Sequence, residues 1–352
     1  MIKPLRTPRR IACLGWVVAG LAITSPVPAF AGLQAVPYTT GAPAEVIPLW
    51  PGTPPGMPRV APRPSTEDRS RGSGITNRMI RGIATPTLSV FRPAKPNGKA
   101  VMVVPGGGYR ALVIDRGGLE PARWLAERGY TTFVLTYRLP GEGWAGKADV
   151  PLADAQRAIR LIRANAARFG IDPAKIAAVG FSAGGHVCAE LLTRHGASVY
   201  VPIDAADRLS ARPWAVGLIS AVIGMRPSDG NAGSHGQLLG ELATPALEAQ
   251  HSPQLNVTPD TPPAFIVSTN DDPIVDVERN GIPMRAALRA RNVPVELHVF
   301  PRGGHNFGVR MPRDLPAAAW PGMFVAWLAD LDRGRRPAAP DRAATDITSG
   351  EQ

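Results

Sequence analysis

Short apolar runs alternate with amphipathic stretches between about residue 85 and residue 332, and that alternation admits few folds. The runs rich in β-branched and apolar residues are Leu88–Phe91, Ala100–Val104, Thr131–Tyr137, Lys175–Val179, Ala215–Ile223, Ala264–Val267 and Val295–Phe300. Helical patterns lie among them at Pro121–Arg128, Leu152–Phe169, Ala183–Arg194, Asp276–Arg291 and Ala317–Asp332. In Leu152–Phe169, for instance, Ala155, Ala158, Ile159, Ile162 and Ala166 fall on one face while Arg157, Arg160 and Arg163 fall off it. Strand–helix alternation of this length predicts the α/β class: a three-layer sandwich with a central, mostly parallel sheet covered on both faces. Such sheets carry their chemistry beyond the carboxyl ends of the strands.

The ends of the chain read differently. Met1 to Arg10 holds four cations and no acid, Ile11 to Thr24 is apolar, and Ala29-Phe30-Ala31 has the small residues of a cleavage site. Residues 1–31 are therefore expected to be a signal peptide cleaved before Gly32, its apolar run being shorter than the roughly 20 residues of a spanning helix. The expected location is exported, periplasmic or extracellular, with no stable membrane insertion after cleavage. Residues 32–73 are dense in proline and predict a surface-hugging arm, 74–334 the catalytic domain, and 335–352 a polar, disordered tail.

The charge balance excludes some partners. The formal net charge is +11, of which the first 31 residues supply four. The remaining cations are scattered without a run of five or six and with few interleaved aromatics, so no nucleic-acid partner is expected. Two cysteines, Cys13 and Cys188, exclude a disulfide framework, and Cys188 reads as a small core residue.

One predicted strand end carries a candidate nucleophile. Gly180-Phe181-Ser182-Ala183-Gly184 follows the strand Lys175–Val179 and opens a helix. G-x-S-x-G at a strand-to-helix turn presents its serine above the sheet, and the two glycines allow the sharp turn. The helix beginning at Ala183 directs N-terminal amides toward the same place.

A serine hydroxyl needs a base to take its proton, and six histidines are available: His186, His195, His235, His251, His298 and His305. His298 lies inside an alternating strand, and His186 sits one turn into the nucleophile helix, where packing or hydrogen bonding beneath the turn is the simpler reading. His305 follows the last strand in Pro301-Arg302-Gly303-Gly304-His305-Asn306-Phe307-Gly308, a loop expected to be flexible enough to bring imidazole over Ser182. The orienting acid is expected after the preceding strand, where spacing leaves Asp271 and Asp272 open. Asp276 reads as a cap or first-turn acid of the next helix.

Oxyanion donors are expected from Pro105-Gly106-Gly107-Gly108-Tyr109, at the end of the strand Val101–Val104. The amides of Gly106 and Gly107, with that of Ala183, form the candidate oxyanion hole. The stretch lacks the Gly-Lys-Ser/Thr ending of a phosphate loop and the spacing of a dinucleotide fingerprint.

With these residues assembled the chain resembles α/β-hydrolase esterases of the group related to acetylxylan esterases and bacterial feruloyl-esterase-like carbohydrate esterases. The resemblance rests on Ile47–Gly52, Pro105–Arg110, Tyr137-Arg138-Leu139, Gly180–His186, Leu238-Leu239-Gly240, Pro262–Phe265 and Glu296–Gly308, and so spans about residues 45–330. The resemblance implies Asp272 as the acid, because Val275 keeps its place three residues on. It departs from the family at Asp276, which stands for a proline, at Arg116-Gly117-Gly118, which stands for Lys-Glu-Gly and implies a missing acidic group near the site, and at Asn306, which stands for a glycine.

The implied activity is that of a serine esterase removing acetyl groups from plant-type polysaccharides or oligosaccharides, with catalytic Ser182, Asp272 and His305 and no metal or organic cofactor. The same triad order serves aryl and short-chain lipid esterases and prolyl-type exopeptidases. The polar insertion Pro227–Gln254 does not read as an apolar lid. The implied partner is a small-molecule or polysaccharide ester.

Overall fold

A computed structural model of the chain describes Met1 and residues 42–70, 76–305 and 308–334. Apart from Met1, the expected signal peptide lies outside the described residues, as do Asn306 and the tail 335–352. The chain divides into two units, Met1–Pro37 and Tyr38–Gln352, and every element below belongs to the second.

Its strands are β1 (Glu45–Pro48), β2 (Ser65–Asp68), β3 (Arg78–Arg81), β4 (Thr87–Phe91), β5 (Ala100–Val104), β6 (Leu112–Val113), β7 (Thr131–Thr136), β8 (Ile176–Phe181), β9 (Val216–Ile219), β10 (Ala264–Thr269) and β11 (Val295–Phe300). The helices are α1 (Glu120–Ala126), α2 (Val150–Ala164), α3 (Ala166–Phe169), α4 (Ala183–Arg194), α5 (Ala232–Leu238), α6 (Pro245–Gln250), α7 (Gly281–Ala290) and α8 (Trp320–Asp332).

Eight strands form one sheet in the order β1-β4-β7-β5-β8-β9-β10-β11. From β7 to β11 all neighbours are parallel, while β4 and β1 extend the edge in antiparallel pairs. Alternate side chains supply the two covering layers. Met102, Val104 and Ala178 face α2, α4 and α7, packing with Ile159, Val187 and Met284. Val101, Val103 and Val179 face the opposite way, toward Leu125 of α1 and Phe324 and Trp327 of α8. The central strands are buried on both faces, which is why they read as continuous apolar runs.

The surface arm expected over 32–73 is corrected by its described part. Within it β1 pairs with β4, and Leu49 and Trp50 enter the core. Trp50 donates from Nε1 to Asp154 Oδ1 at 2.9 Å. Arg138 bonds the same carboxylate through its backbone N and guanidinium, and reaches Pro55 O at 2.6 Å. Four residues ending in proline show too little periodicity to be read as a strand; they are held by pairing with β4, and the segment just after them is tied to the core through Trp50 and Arg138 on Asp154.

Three smaller differences have local causes. The run Ala215–Ile223 is a strand only over β9, because Ser220 turns to φ 43° and lets Val222 N reach Ser182 O. The helix expected from Asp276 begins at Gly281; Asp276 instead makes a turn in which its carboxylate accepts from Glu278 N. A second sheet, β2-β3-β6, lay below the length that pattern reading detects.

Candidate active site

Only one residue separates β8 from α4, and it is Ser182. The turn forces it to φ 53° and ψ −121°, a conformation costing a non-glycine residue on the order of 1–3 kcal/mol. The neighbours explain why glycine flanks it. A Cβ on Gly180 would lie 2.2 Å from Gly184 O, and one on Gly184 would lie 2.3 Å from Val104 O. The strained backbone is held by hydrogen bonds: Ser182 N donates to Ile219 O at 3.0 Å, and Ser182 O accepts from His186 N at 3.1 Å and Val222 N at 3.2 Å.

The loops after β10 and β11 supply the partners. Ser182 Oγ lies 2.9 Å from His305 Nε2, and His305 Nδ1 lies 2.8 Å from Asp272 Oδ2. A carboxylate only accepts, so Nδ1 carries a proton and Nε2 presents its lone pair to the serine hydroxyl. The Asp272 side chain is 1% exposed, and its other oxygen accepts from Ile274 N and Val275 N, both at 2.9 Å. Its two oxygens are thus committed, one to the ring and one to its own loop.

Asp271, the alternative acid, is placed differently. Its carboxylate accepts from Gly304 N at 2.8 Å and Gly303 N at 3.1 Å, and these bonds hold its carboxyl below the usual carboxylate range. Thr269 Oγ1 donates to Gly304 O at 2.8 Å. The histidine loop, expected to be flexible, is therefore pinned at the two residues before His305.

Gly106 sits against the nucleophile, where a Cβ would come within 2.9 Å of Ser182 Cβ and 2.4 Å of Phe181 O. Gly107 has φ 138°, open to glycine alone, and a Cβ there would meet Ala111 O at 2.0 Å. Among the described residues, the N–H groups of Gly106, Gly107 and Ala183 donate no hydrogen bond within the protein. Three neighbouring free amides beside a serine are what a tetrahedral oxyanion requires.

The remaining sequence candidates have structural places. His298 packs in β11 against Phe265 with ring centroids 5.1 Å apart and bonds Glu296. His186 is fully buried, with Nδ1 2.7 Å from Tyr109 Oη and Nε2 2.9 Å from His251 O. Burial pushes its pKa down to about 4, so the ring stays neutral. Cys188 is buried in the core and its thiol is pushed up by desolvation.

Gly117 lies against the oxyanion loop, where a Cβ would be 3.5 Å from Gly106 N, and it puts no side chain there. Arg116 beside it is exposed. The buried acids of that stretch are Asp115, paired with Arg78 at 2.6 Å, and Glu120, whose carboxylate lies 2.9 Å from Arg310 Nε and is raised by burial.

Sequence reasoning did not find the polar groups behind the loops. Tyr137 Oη donates to Pro105 O at 3.1 Å, and Tyr109, at φ 59°, reaches α4 through His186. The signal was present in the motifs around Tyr109, Tyr137 and His186, but no periodicity connects residues 77 positions apart.

Comparison with known proteins follows the same lines. A family model described as BD-FAE matches residues 88–212, a span holding Ser182 and the candidate oxyanion donors but ending before Asp272 and His305. An acetylxylan esterase of Xylanibacter ruminicola is 34% identical over 225 residues, 62% of this chain and 43% of that protein. The chain thus spans less than half the length of that relative. The crystal structure of an acetyl ester-xyloside bifunctional hydrolase from Caldicellulosiruptor lactoaceticus is 30% identical, with a TM-score of 0.67 over 84% of this chain and 98% of that one. A thermophilic esterase of the planctomycete Thermogutta terrifontis, at 22% identity and a TM-score of 0.57 over 81% and 97%, shares the fold.

Proposed function

Because this chain belongs to the α/β-hydrolase esterases related to acetylxylan esterases, we propose that it is a serine carboxylic-ester hydrolase removing acetyl groups from plant-type polysaccharides or oligosaccharides. The observation that carries the reading is the relay of Ser182 Oγ, His305 and Asp272 through contacts of 2.9 and 2.8 Å.

In the reaction, Ser182 Oγ attacks the ester carbonyl carbon while its proton passes to His305 Nε2. The new oxyanion is held by the amides of Gly106, Gly107 and Ala183, and Asp272 stabilises the imidazolium. Collapse of the intermediate breaks the bond to the alcohol, which leaves with the proton from His305, and Ser182 keeps the acetyl group. Water then gives a proton to His305 and attacks the acyl carbon; acetate departs and the proton returns to Ser182. Every proton moves between groups of this chain, substrate and water.

The acetyl preference is supported by the relatives named acetylxylan esterase and acetyl ester-xyloside hydrolase. Export is proposed from the basic and apolar order of the first 31 residues alone.

The test is hydrolysis of p-nitrophenyl esters from acetyl to octanoyl beside acetylated xylan oligomers. Acetyl esters are expected to exceed octanoyl esters by at least about tenfold in kcat/KM, since a small acyl pocket excludes added methylenes that each weigh about 1–3 kcal/mol. Free acetate is expected from acetylated xylan. An optimum at octanoyl, with no acetate from any polysaccharide, would replace the sugar substrate with a lipid or aryl ester. N-terminal sequencing of the protein recovered outside the cytoplasm tests export, with Gly32 expected first.

A further inference from the structure

Two buried tyrosine hydroxyls converge on the loop that carries the candidate oxyanion amides, and the reaction steps above use neither. Tyr137, directly after β7, donates to the carbonyl of Pro105 at 3.1 Å. A trans peptide holds its C=O and N–H antiparallel, so a bond that fixes Pro105 O also fixes the direction of Gly106 N–H. The next peptide is held in the same way, Val113 N donating to Gly106 O at 2.8 Å and so orienting Gly107 N–H.

Tyr109 closes the other end of the loop. Gly107, Gly108 and Tyr109 all have positive φ, and Tyr109, the residue for which this is least natural, is buried. Its hydroxyl meets His186 Nδ1 at 2.7 Å. The opposite ring nitrogen faces a carbonyl, His251 O at 2.9 Å, so Nε2 carries the proton and Nδ1 accepts from Tyr109. His186 stands one turn into α4, and its own N–H bonds Ser182 O at 3.1 Å. The Tyr109–His186 bond therefore ties the loop bearing Gly106 and Gly107 to the helix bearing Ser182 and Ala183. The rings of Tyr109 and Tyr137 meet edge to face with centroids 6.3 Å apart.

We propose that Tyr109 and Tyr137 are positioning residues for the oxyanion hole, Tyr137 setting the direction of the Gly106 amide and Tyr109, through His186, setting the distance between the loop amides and that of Ala183. The proposal rests on the esterase reading and deepens it. Neither hydroxyl touches the reacting atoms. They act by keeping donors aimed where charge develops, and a donor misplaced by about an ångström loses much of its effect.

The test compares the parent enzyme with Tyr109→Phe, Tyr137→Phe, His186→Leu and His186→Asn, each first checked for cooperative unfolding. The readouts are kcat and KM on p-nitrophenyl acetate and Ki for a trifluoromethyl ketone, whose adduct with Ser182 carries an oxyanion. Each Tyr→Phe change is expected to lower kcat about tenfold or more with KM within about threefold, and to raise Ki in parallel with the loss of kcat. His186→Leu should match Tyr109→Phe, and combining them should add little. His186→Asn, whose Oδ1 can take the place of Nδ1, should recover most of the loss. If both phenylalanine variants fold poorly, the His186→Asn and His186→Leu pair alone decides for Tyr109.

Folded Tyr→Phe variants that keep kcat and Ki would overturn the positioning role and leave the esterase reading standing. The same holds if stability falls while the kinetics do not. A parent enzyme without esterase activity would overturn the esterase reading and the positioning role with it.

Discussion

Asp271 and Asp272 are neighbours in the chain that hold two different parts of one loop: Asp272 bonds the imidazole of His305 at 2.8 Å, and Asp271 bonds the backbone amides of Gly304 and Gly303. One carboxylate sets the tautomer and tilt of the ring, and the other sets the path of the chain that delivers it. The division predicts different losses. Asp272→Asn should lower kcat by roughly 10³–10⁴-fold, because an amide favours the wrong tautomer. Asp271→Asn keeps an acceptor oxygen for one glycine amide and should cost about tenfold or less, since backbone bonds of this kind are worth roughly 1 kcal/mol each. Steady-state kinetics on one acetyl ester separates the two, and a reversed order would move the catalytic acid to Asp271.

Ser182→Ala is expected to leave the fold intact and to reduce kcat by at least about 10³-fold. His305→Ala should do the same, and the double variant should lose little more, because nucleophile and base act as a unit. Losses that multiply in the double variant would argue that the 2.9 Å contact is not the working relay.

Stability should depend on pH through His186. Burial depresses its folded value to about 4 from the ordinary imidazole value of 6.5, so between those values the unfolded chain binds more protons than the folded one. The sign follows: this contribution is whole above about pH 6.5 and is lost as pH falls toward 4. Its size is on the order of 3 kcal/mol. Urea midpoints measured across that range should fall with pH in the parent and fall less in His186→Leu. Equal slopes in both proteins would remove His186 as the source.

Asp154 offers a test of the core that leaves the reaction alone. Its carboxylate is the shared acceptor of Trp50 and Arg138, and the Arg138–Asp154 pair has side chains only 1% and 0% exposed. Asp154→Ala leaves a buried guanidinium without its counter-charge and should cost about 3–5 kcal/mol. Denaturant unfolding would show the loss, while active-site titration of the folded fraction should match the parent.

What the sequence determined by itself is what repeats or sits within a few residues. The alternation of apolar runs and amphipathic stretches specified a parallel sheet covered on two faces, since strand and helix periods are properties of the chain alone. The turn at Ser182 was legible for the same reason, because Gly180, Ser182 and Gly184 meet within five residues. His305 was legible as a candidate from its order after the last strand, and the fold brings it to Ser182.

Spacing left Asp271 and Asp272 open and the resemblance implied Asp272; the tertiary structure puts the Asp272 carboxylate on His305 and the Asp271 carboxylate on the amides of Gly303 and Gly304, two side chains that leave one loop in different directions. Only the tertiary structure placed Glu45–Pro48 at the sheet edge and Trp50 on Asp154, 104 residues away. Only it joined Tyr109 to His186 across 77 residues. The reason is physical: periodicity encodes which face of an element is apolar, whereas a buried hydrogen bond depends on where two distant backbones cross, and no local pattern carries that information.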